Sequence, residues 1–400
     1  MFSQLSIEIT KKLSSKEKKD NGIFFTPPSS INKMIKSIDF TNIKNILEPS
    51  CGSCEIVINI DDIINSNIDC IEYNKNIYNA IKDLQFKNNV TIMNEDFLLF
   101  NPNKKYDLII GNPPYYVMKK HLIDKKYHKY FDGRPNIFII FIIKCLELLN
   151  DNGYLSFVLP ASFLNCLYYD KTRRYIYENF KIVDIINCDD DKYLETNQET
   201  IIITIQKKSS TNKKYVININ DYIIFNTIDN IKKLKKLYKN SVNFDSLGFN
   251  VSIGKVVWNQ VKNKLTNDSK KTLLIYSGDI KDNVLKVIKY SNPEKKNYIN
   301  MTGYKTPCLV INRGYGVGQY NFNYCVIDIK EEYLVENHLI QITPREEYKT
   351  SFNKKELLKL YEKIIKSFNN DKTKEFIKLY LKNNAINIVE LSYILPIYLD

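Results

Sequence analysis

Residues 106–117 read YDLIIGNPPYYV, and this stretch decides the fold. Its apolar start, 106–110, has the length of one strand in a sheet covered on both faces, where strands are near-continuous hydrophobic runs. Gly111 admits a close approach of backbone. The paired prolines lock φ and lack N–H groups, so the strand stops and carbonyls are left free to point into a cavity. Working outward, similar short apolar runs stand at 46–47, 68–73 and 90–93 before it, and at 154–159, 182–186 and 200–205 after it. Helical patterns fill the intervals, notably 75–84 and 136–149, the second apolar nearly all round and so heavily buried. The alternation predicts an α/β fold: a Rossmann-like, doubly wound sheet of seven strands, helices on both faces, with helical crossovers between the first five.

Ligands of such sheets sit beyond the carboxyl ends of the strands, where strand order reverses. The residues after the first four strands are Glu48-Pro49-Ser50-Cys51-Gly52-Ser53, then Glu72, then Asp96-Phe97, then Asn112-Pro113-Pro114-Tyr115. No GxGxxG or GxxxxGK[ST] is present, so neither a dinucleotide nor a nucleoside triphosphate is indicated. Gly52, flanked by Ser50 and Ser53, suits a tight turn under a ligand. Glu72 suits two ribose hydroxyls, Glu48 a cationic ammonium or sulfonium, Asp96 an adenine amino group, with Phe97 across the ring. A ligand with ribose, adenine and positive charge but no phosphates satisfies the set. The Asn112 amide oxygen and the Pro113 carbonyl are two acceptors for a planar group bearing NH₂, with Tyr115 as a flat face. Taking both hydrogens pulls the nitrogen toward tetrahedral geometry and localises its lone pair, an interaction stronger in the transition state than before it.

The chain of 400 residues is 44% hydrophobic, enough for two or three packed units and against a fibrous or disordered protein. Its 58 basic and 45 acidic side chains leave +13, and the 192 residues after Lys208 hold 31 basic against 19 acidic, so +12 of that excess lies there. A polyanion is the partner class to test first. The expected organisation is a flexible basic arm at 1–21, an α/β domain at 22–208, and a basic, mixed α+β domain at 209–400, with the boundary in KKSSTNKK. Within the last part, 228–238 reads as helix, 252–258 and 272–276 as strands, and 354–383 as two helices parted near Asn369 and Asn370. Eight scattered cysteines and no leader pattern fit a reduced intracellular setting. The greasiest run, 137–143, is far short of the roughly 20 residues a span needs, so no membrane partner is expected. Cys51 and Cys54 form a lone CxxC without a second ligand pair, so no metal is expected.

In motif set and order the chain resembles the S-adenosylmethionine-dependent N6-adenine DNA methyltransferases of the gamma arrangement, in which cofactor motifs precede the catalytic motif and a target-recognition domain follows. The matching stretches are FFTPPS at 24–29, LEPSCGSCE at 47–55, DCIEYNK at 69–75, NEDFLLF at 94–100, DLIIGNPPYY at 107–116, RPNIFIIFIIKCLELL at 134–149 and GYLSFVLPASFLN at 153–165, together covering 22–206. The resemblance implies S-adenosylmethionine as cofactor, with Thr26 and Pro27 over its methionine end, Glu48, Ser50 and Gly52 beneath, Glu72 on the ribose, and Asp96 and Phe97 at the adenine. It also implies that Asn112, Pro113, Pro114 and Tyr115 hold and stack on an extruded target adenine. Two departures stand out. Cys54 occupies a place where many relatives carry glycine, and DKYLETNQET at 191–200 lacks the phenylalanine that supplies a second face to the flipped base, leaving Tyr193 as substitute.

A duplex adenine must be extruded to reach such a pocket, at a cost of roughly a few kcal/mol, and the basic second half supplies a field for gripping the backbone. In INRGYGVGQYNFNY at 311–324, Arg313 suits a phosphate or a guanine edge, while Tyr315 and Tyr320 offer stacking surfaces between glycines. Lys255, with Trp258 and Lys262, is a second patch. The expected function is site-specific methylation of double-stranded DNA without cleavage, with a separately encoded restriction endonuclease as an optional partner. An RNA or protein-glutamine methyltransferase and a silent DNA-binding module are the alternatives.

Overall fold

The computed structural model of the chain describes residues 2–188, 191, 193–194, 198–210, 212–313, 322–348, 353–381 and 386–399. Seven strands, Asn45–Glu48 (β1), Asn67–Ile71 (β2), Asn89–Met93 (β3), Tyr106–Gly111 (β4), Leu149–Pro160 (β5), Lys181–Asn187 (β6) and Thr200–Gln206 (β7), form one sheet in the order β3-β2-β1-β4-β5-β7-β6. The first five run parallel, each at the expected place. Strand β7 departs from a parallel sheet: it lies antiparallel between β5 and β6, in register from Leu155 opposite Ile205 to Pro160 opposite Thr200. Its run TIIITIQ is buried on both faces, and burial alone does not reveal strand direction.

Successive strand residues face opposite sides, and this divides the core. Ile46, Ile68, Cys70, Leu108, Ile110 and Ile202 pack beneath helices Pro28–Lys36 (α1), Glu55–Ile60 (α2) and Lys75–Ile81 (α3). Leu47, Ile109, Leu155, Phe157 and Ile203 face Ile137–Leu148 (α4) and Asp170–Asn179 (α5). The expected helix between β3 and β4 is absent. Residues 94–105 instead make a turn in which the Asp96 backbone carbonyl accepts from the amides of Leu99 and Phe100, and Phe97 is drawn into the core at 2% exposure.

The amino-terminal 21 residues are not a loose arm. They form two short helices, Gln4–Lys12, capped by Ser3, and Ser15–Asn21, capped by Ser14. Leu5, Ile9 and Leu13 recur every four residues on one helical face, and they join the core beside Ile31 and Ile56. Ser6 donates to Glu55 at 2.5 Å and shares a hydrogen bond of 2.6 Å with Ser53, fastening this segment to the loop after β1.

The expected boundary at Lys208 also moves. The chain divides into compact units of Met1–Lys232 and Lys233–Asp400. After KKSSTNKK comes a hairpin, Val216–Ile219 with Tyr222–Phe225, turned by Asn220 and Asp221, both at positive φ. Val216, Ile223 and Phe225 enter the core of the first unit. The fully buried Arg173 of α5 donates to the carbonyls of Ile223, Phe163 and Cys166, so the hairpin closes the site of an interior cation. The polar stretch 207–214 therefore lies within the first unit and does not end it.

The second unit is α+β. One antiparallel sheet has the order Phe249–Ile253, Leu339–Pro344, Cys308–Asn312, Tyr324–Ile327; another sets Leu265–Thr266, Tyr298–Ile299, Thr272–Ile275 and Tyr333–Val335 side by side. The strand expected at 252–258 ends at Ile253, and Gly254 follows where a β-carbon would meet the Glu336 carbonyl oxygen at 2.2 Å. Helices Lys354–Phe368 and Asp371–Tyr380 stand where expected, capped by Asn353 and Asn370. Among the described residues no helix is long and apolar enough to cross a membrane.

A fragment ending at Lys208 loses the three hairpin side chains that enter this core, which at roughly 1.5–3 kcal/mol each amounts to about 5–9 kcal/mol, and it uncovers Arg173. We expect a fragment ending at Lys232 to unfold cooperatively on heating and one ending at Lys208 to melt at markedly lower temperature or to be insoluble. Equal melting temperatures would place the boundary at Lys208 after all.

Candidate active site

The loop after β1 is shaped by its backbone. Gly52 has φ of +51°, and a β-carbon there would meet the Phe25 ring at 3.1 Å. Its amide donates to Glu72 Oε2 at 2.9 Å, while the other oxygen of Glu72 accepts from the Asn74 amide at 2.6 Å. Burial nevertheless pushes the Glu72 carboxyl up to about 7, those two donors opposing it. Cys54 caps α2 at φ of +60°, which explains why glycine suits that place. Its thiol is hydrogen-bonded with those of Cys51 and Cys70, so a β2 cysteine invisible to the CxxC spacing completes a buried thiol trio. Among the described residues no group of three or more His, Cys, Asp or Glu side chains would hold a metal ion.

Glu48 is 2% exposed, and its Oε2 has no hydrogen-bond partner. Burial first, then neighbouring Cys54, Glu72 and Glu55, push its carboxyl well above the usual range. It lines a cavity of about 30 Å³ with Thr26, Ser50, Gly52 and Asn112. An orphaned buried carboxylate is costly, and a cationic group beside it would remove that cost. Pro27 lies apart from the cavity lining, where it starts α1 as its buried N-cap residue.

Ser50, Gly52 and Asn112 also line a larger cavity of about 270 Å³, with Glu72, Asp96, Phe97, Pro114 and Tyr116. The Asp96 carboxylate accepts from the Leu98 amide at 2.8 Å, leaving its second oxygen for a ligand. Phe97 packs 4.7 Å from the Phe141 ring. Beneath it lies Lys144, a residue that its apolar helix disguised. The ammonium sits 4.9 Å from the Phe97 ring centre and donates to the carbonyls of Phe97 and Leu98 at 2.6 and 2.8 Å. Desolvation lowers its affinity for a proton. The Lys interrupting a helix otherwise apolar all round is the signal that could have found it.

At the end of β4 the Asn112 carboxamide is fixed from both sides. Its Nδ2 donates to the Phe24 carbonyl at 2.9 Å, and its Oδ1 accepts from the Tyr115 hydroxyl at 2.5 Å. Because a carbonyl can only accept, the amide cannot be reversed. Among the described residues the Pro113 carbonyl accepts no hydrogen bond, and Pro113 itself is not among the residues lining either cavity. The expected flat face at Tyr115 is already enclosed in part: its hydroxyl also reaches the Val158 carbonyl at 2.9 Å, and its ring lies edge-on to Phe138. Phe24 faces it at 6.4 Å between centres and 27° between planes. Phe24 opens the FFTPPS stretch, whose Thr26 and Pro27 carry the resemblance, and only the fold brings its ring to Tyr115. Tyr193, the expected second face, lines a small hollow with Phe24 and Phe25 and is hydrogen-bonded to Thr200 at 3.2 Å.

The expected DNA contacts are scattered in kind. Arg313 is exposed at the end of strand Cys308–Asn312. Lys255 lies 5.2 Å from the Tyr304 ring centre, and Lys262 is paired with Glu294 at 2.7 Å. Tyr315 and Tyr320 lie outside the described residues.

Comparison with known proteins agrees with this geometry. Residues 5–194 match the family model described as Eco57I restriction-modification methylase. The type II methyltransferase M.CvrRI of Paramecium bursaria Chlorella virus XZ-6E is 28% identical over 394 residues, 97% of each chain. Modification methylase CviBIII of Paramecium bursaria Chlorella virus NC1A is 26% identical over 97% of this chain and 96% of its own. Among solved structures, the DrdV–DNA complex overlaps 96% of this chain and 57% of its own, with 12% identity and a TM-score of 0.53, a likeness of fold. Over its seven-stranded Rossmann-like sheet, the chain is thus similar to a restriction-modification methylase family model through residues 5–194 and to viral modification methyltransferases along nearly all its length.

Proposed function

We propose that the chain is a site-specific DNA adenine N6-methyltransferase acting on an adenine flipped out of double-stranded DNA, with the unit after Lys232 as its target-recognition domain. The observation that carries this reading is the Asn112 carboxamide, whose nitrogen is committed to Phe24 so that Oδ1 remains the acceptor. When bound, S-adenosylmethionine supplies a methyl group made electrophilic by its sulfonium. Glu48, orphaned and buried, sits opposite that positive charge; Glu72 keeps one lone pair on each oxygen for ribose hydroxyls; Asp96 and Phe97 receive the adenine. Asn112 Oδ1 and the Pro113 carbonyl take the two hydrogens of the target amino group and localise its lone pair. Phe24 and Tyr115 bracket the ring, for which the 6.4 Å between them must open slightly. Net charge supports the substrate class: the basic surplus lies after Lys208, where a polyanion would be gripped.

The direct test is incubation of pooled random-sequence duplex DNA with S-adenosylmethionine and base-resolved detection of N6-methyladenine, with RNA and glutamine peptides in parallel. Asn112→Ala is expected to retain cofactor binding while losing about a hundredfold in rate, some 3 kcal/mol. A variant as active as the parent would remove Asn112 from the chemistry.

Titration of Glu72 gives a second test. Its carboxyl stands near 7 in the free fold against 4.5 ordinarily, so its proton favours the free native state below that range and this contribution fades as pH rises through 7. Ribose hydroxyls donate to the anion, so the sign for binding is opposite. Cofactor affinity should weaken as pH falls below 7, by up to about tenfold per unit, with proton release measurable by calorimetry in two buffers. Glu72→Gln should bind weakly and lose the part of this pH dependence centred near 7, leaving that of Glu48; an unchanged profile would exclude Glu72 from the cofactor site.

Arg313→Ala separates two forms of DNA contact. Guanine readout predicts relaxation at one target position worth about 1–3 kcal/mol, whereas a phosphate contact predicts uniform weakening and a salt slope shallower by about one. Affinity for target and singly substituted duplexes across a salt series decides, and no change in either would place Arg313 off the DNA.

A further inference from the structure

The amino-terminal segment reaches the loops after β1, β2 and β4. Ser3 and Ser6 hold Glu55 after β1, and Glu17 accepts from Asn74 after β2 at 2.9 Å. The helix then ends at Gly22, in the left-handed region at φ of +61°. Gly22 is buried flat against the catalytic loop: a β-carbon there would stand 2.5 Å from the Tyr115 amide nitrogen and 3.3 Å from the Pro114 carbonyl carbon. Two residues later the chain offers the Phe24 carbonyl to Asn112. Neither Pro113 nor Pro114 has an amide hydrogen to give a ladder, so the loop is held by the Tyr115 hydroxyl on the Val158 carbonyl, by Ser50 on the Asn112 carbonyl and by this packing.

We propose that Gly22 is a positioning residue for methyl transfer. Its bare α-carbon lets the 20–25 segment lie directly on the Pro114–Tyr115 peptide, which sets both the height of that peptide and the register of the Phe24 carbonyl against the Asn112 carboxamide. The cofactor loops and the catalytic loop are thereby tied to one backbone segment, anchored at Glu55 and Asn74 and bearing on Asn112. This rests on the reading of Asn112 as the residue that holds the target amino group.

The experiment compares full-length parent, Gly22→Ala, Asn112→Ala and their double variant for kcat, KM and melting temperature with duplex DNA. Gly133→Ala serves as control, because Gly133 also has positive φ, +64°, yet a β-carbon there meets nothing closer than 3.5 Å. It should lower the melting temperature and leave kcat intact. Displacing the Pro114–Tyr115 peptide should cut kcat roughly tenfold to a hundredfold, with KM for cofactor and DNA nearly unchanged. Gly22→Asn, whose side chain tolerates the left-handed region but still carries a β-carbon, should be equally slow and keeps the test open if alanine prevents folding. The double variant should be no slower than Asn112→Ala. Normal kcat in Gly22→Ala, recovery in Gly22→Asn, or additive losses in the double variant would each overturn the positioning role while leaving Asn112 in place. An Asn112→Ala variant with parental rate would overturn both.

Discussion

Strand β1 has β2 on one side and β4 on the other, both parallel to it, and everything chemical in the first unit depends on that placement. The chain walks outward through β2 and β3, then must return across β1 to continue with β4. The loops leaving β1 and β4 therefore part in opposite directions from neighbouring strand ends, opening a crevice that no side chain has to be spent on making. Glu48, Glu72 and Asn112 are the residues at those ends or just beyond them. Their proximity is a property of topology, and their burial follows from the helices on both faces.

Burial then does the electrostatic work. Glu48 and Glu72 lie close enough to repel one another, and both are held in low dielectric, so each favours its proton in the free fold. Such a pair is poorly satisfied alone and well satisfied by a cationic ligand with hydroxyl donors. Beneath Phe97, Lys144 is a buried cation satisfied by two carbonyls and an aromatic face, which stiffens the Phe97 turn.

The amino-terminal helices show how a region of low sequence information becomes part of a site. Their caps and their apolar spacing are ordinary, yet their contacts with Ser53, Glu55 and Asn74 bring Gly22 and Phe24 over the loop after β4. The prolines of that loop give no amide donors to a neighbouring strand, so beyond the Tyr115 hydroxyl on the Val158 carbonyl its position is set by packing from outside the sheet. Packing from a separate segment replaces a hydrogen-bond ladder.

Local chemistry alone determined the strands, the residues at their ends and the break at Asn112-Pro113-Pro114, because apolar runs, punctuating prolines and charged residues after strands are all written within a few positions of one another. The family resemblance followed from the same stretches, and the twin helices at Lys354–Phe368 and Asp371–Tyr380 from their periodicity and asparagine caps. Tertiary structure alone decided the reversal of β7, since a strand buried on both faces reads the same in either direction. It also decided the true end of the first unit, where the cation of Arg173 waits on a carbonyl fifty residues later in the chain, at Ile223. Cys70 beside Cys51 and Cys54, Lys144 under Phe97, and Gly22 against Tyr115 belong to the same class. Each joins residues far apart in sequence, and what makes them matter, a lost hydration shell or the missing volume of one β-carbon, exists only once the chain has closed around them.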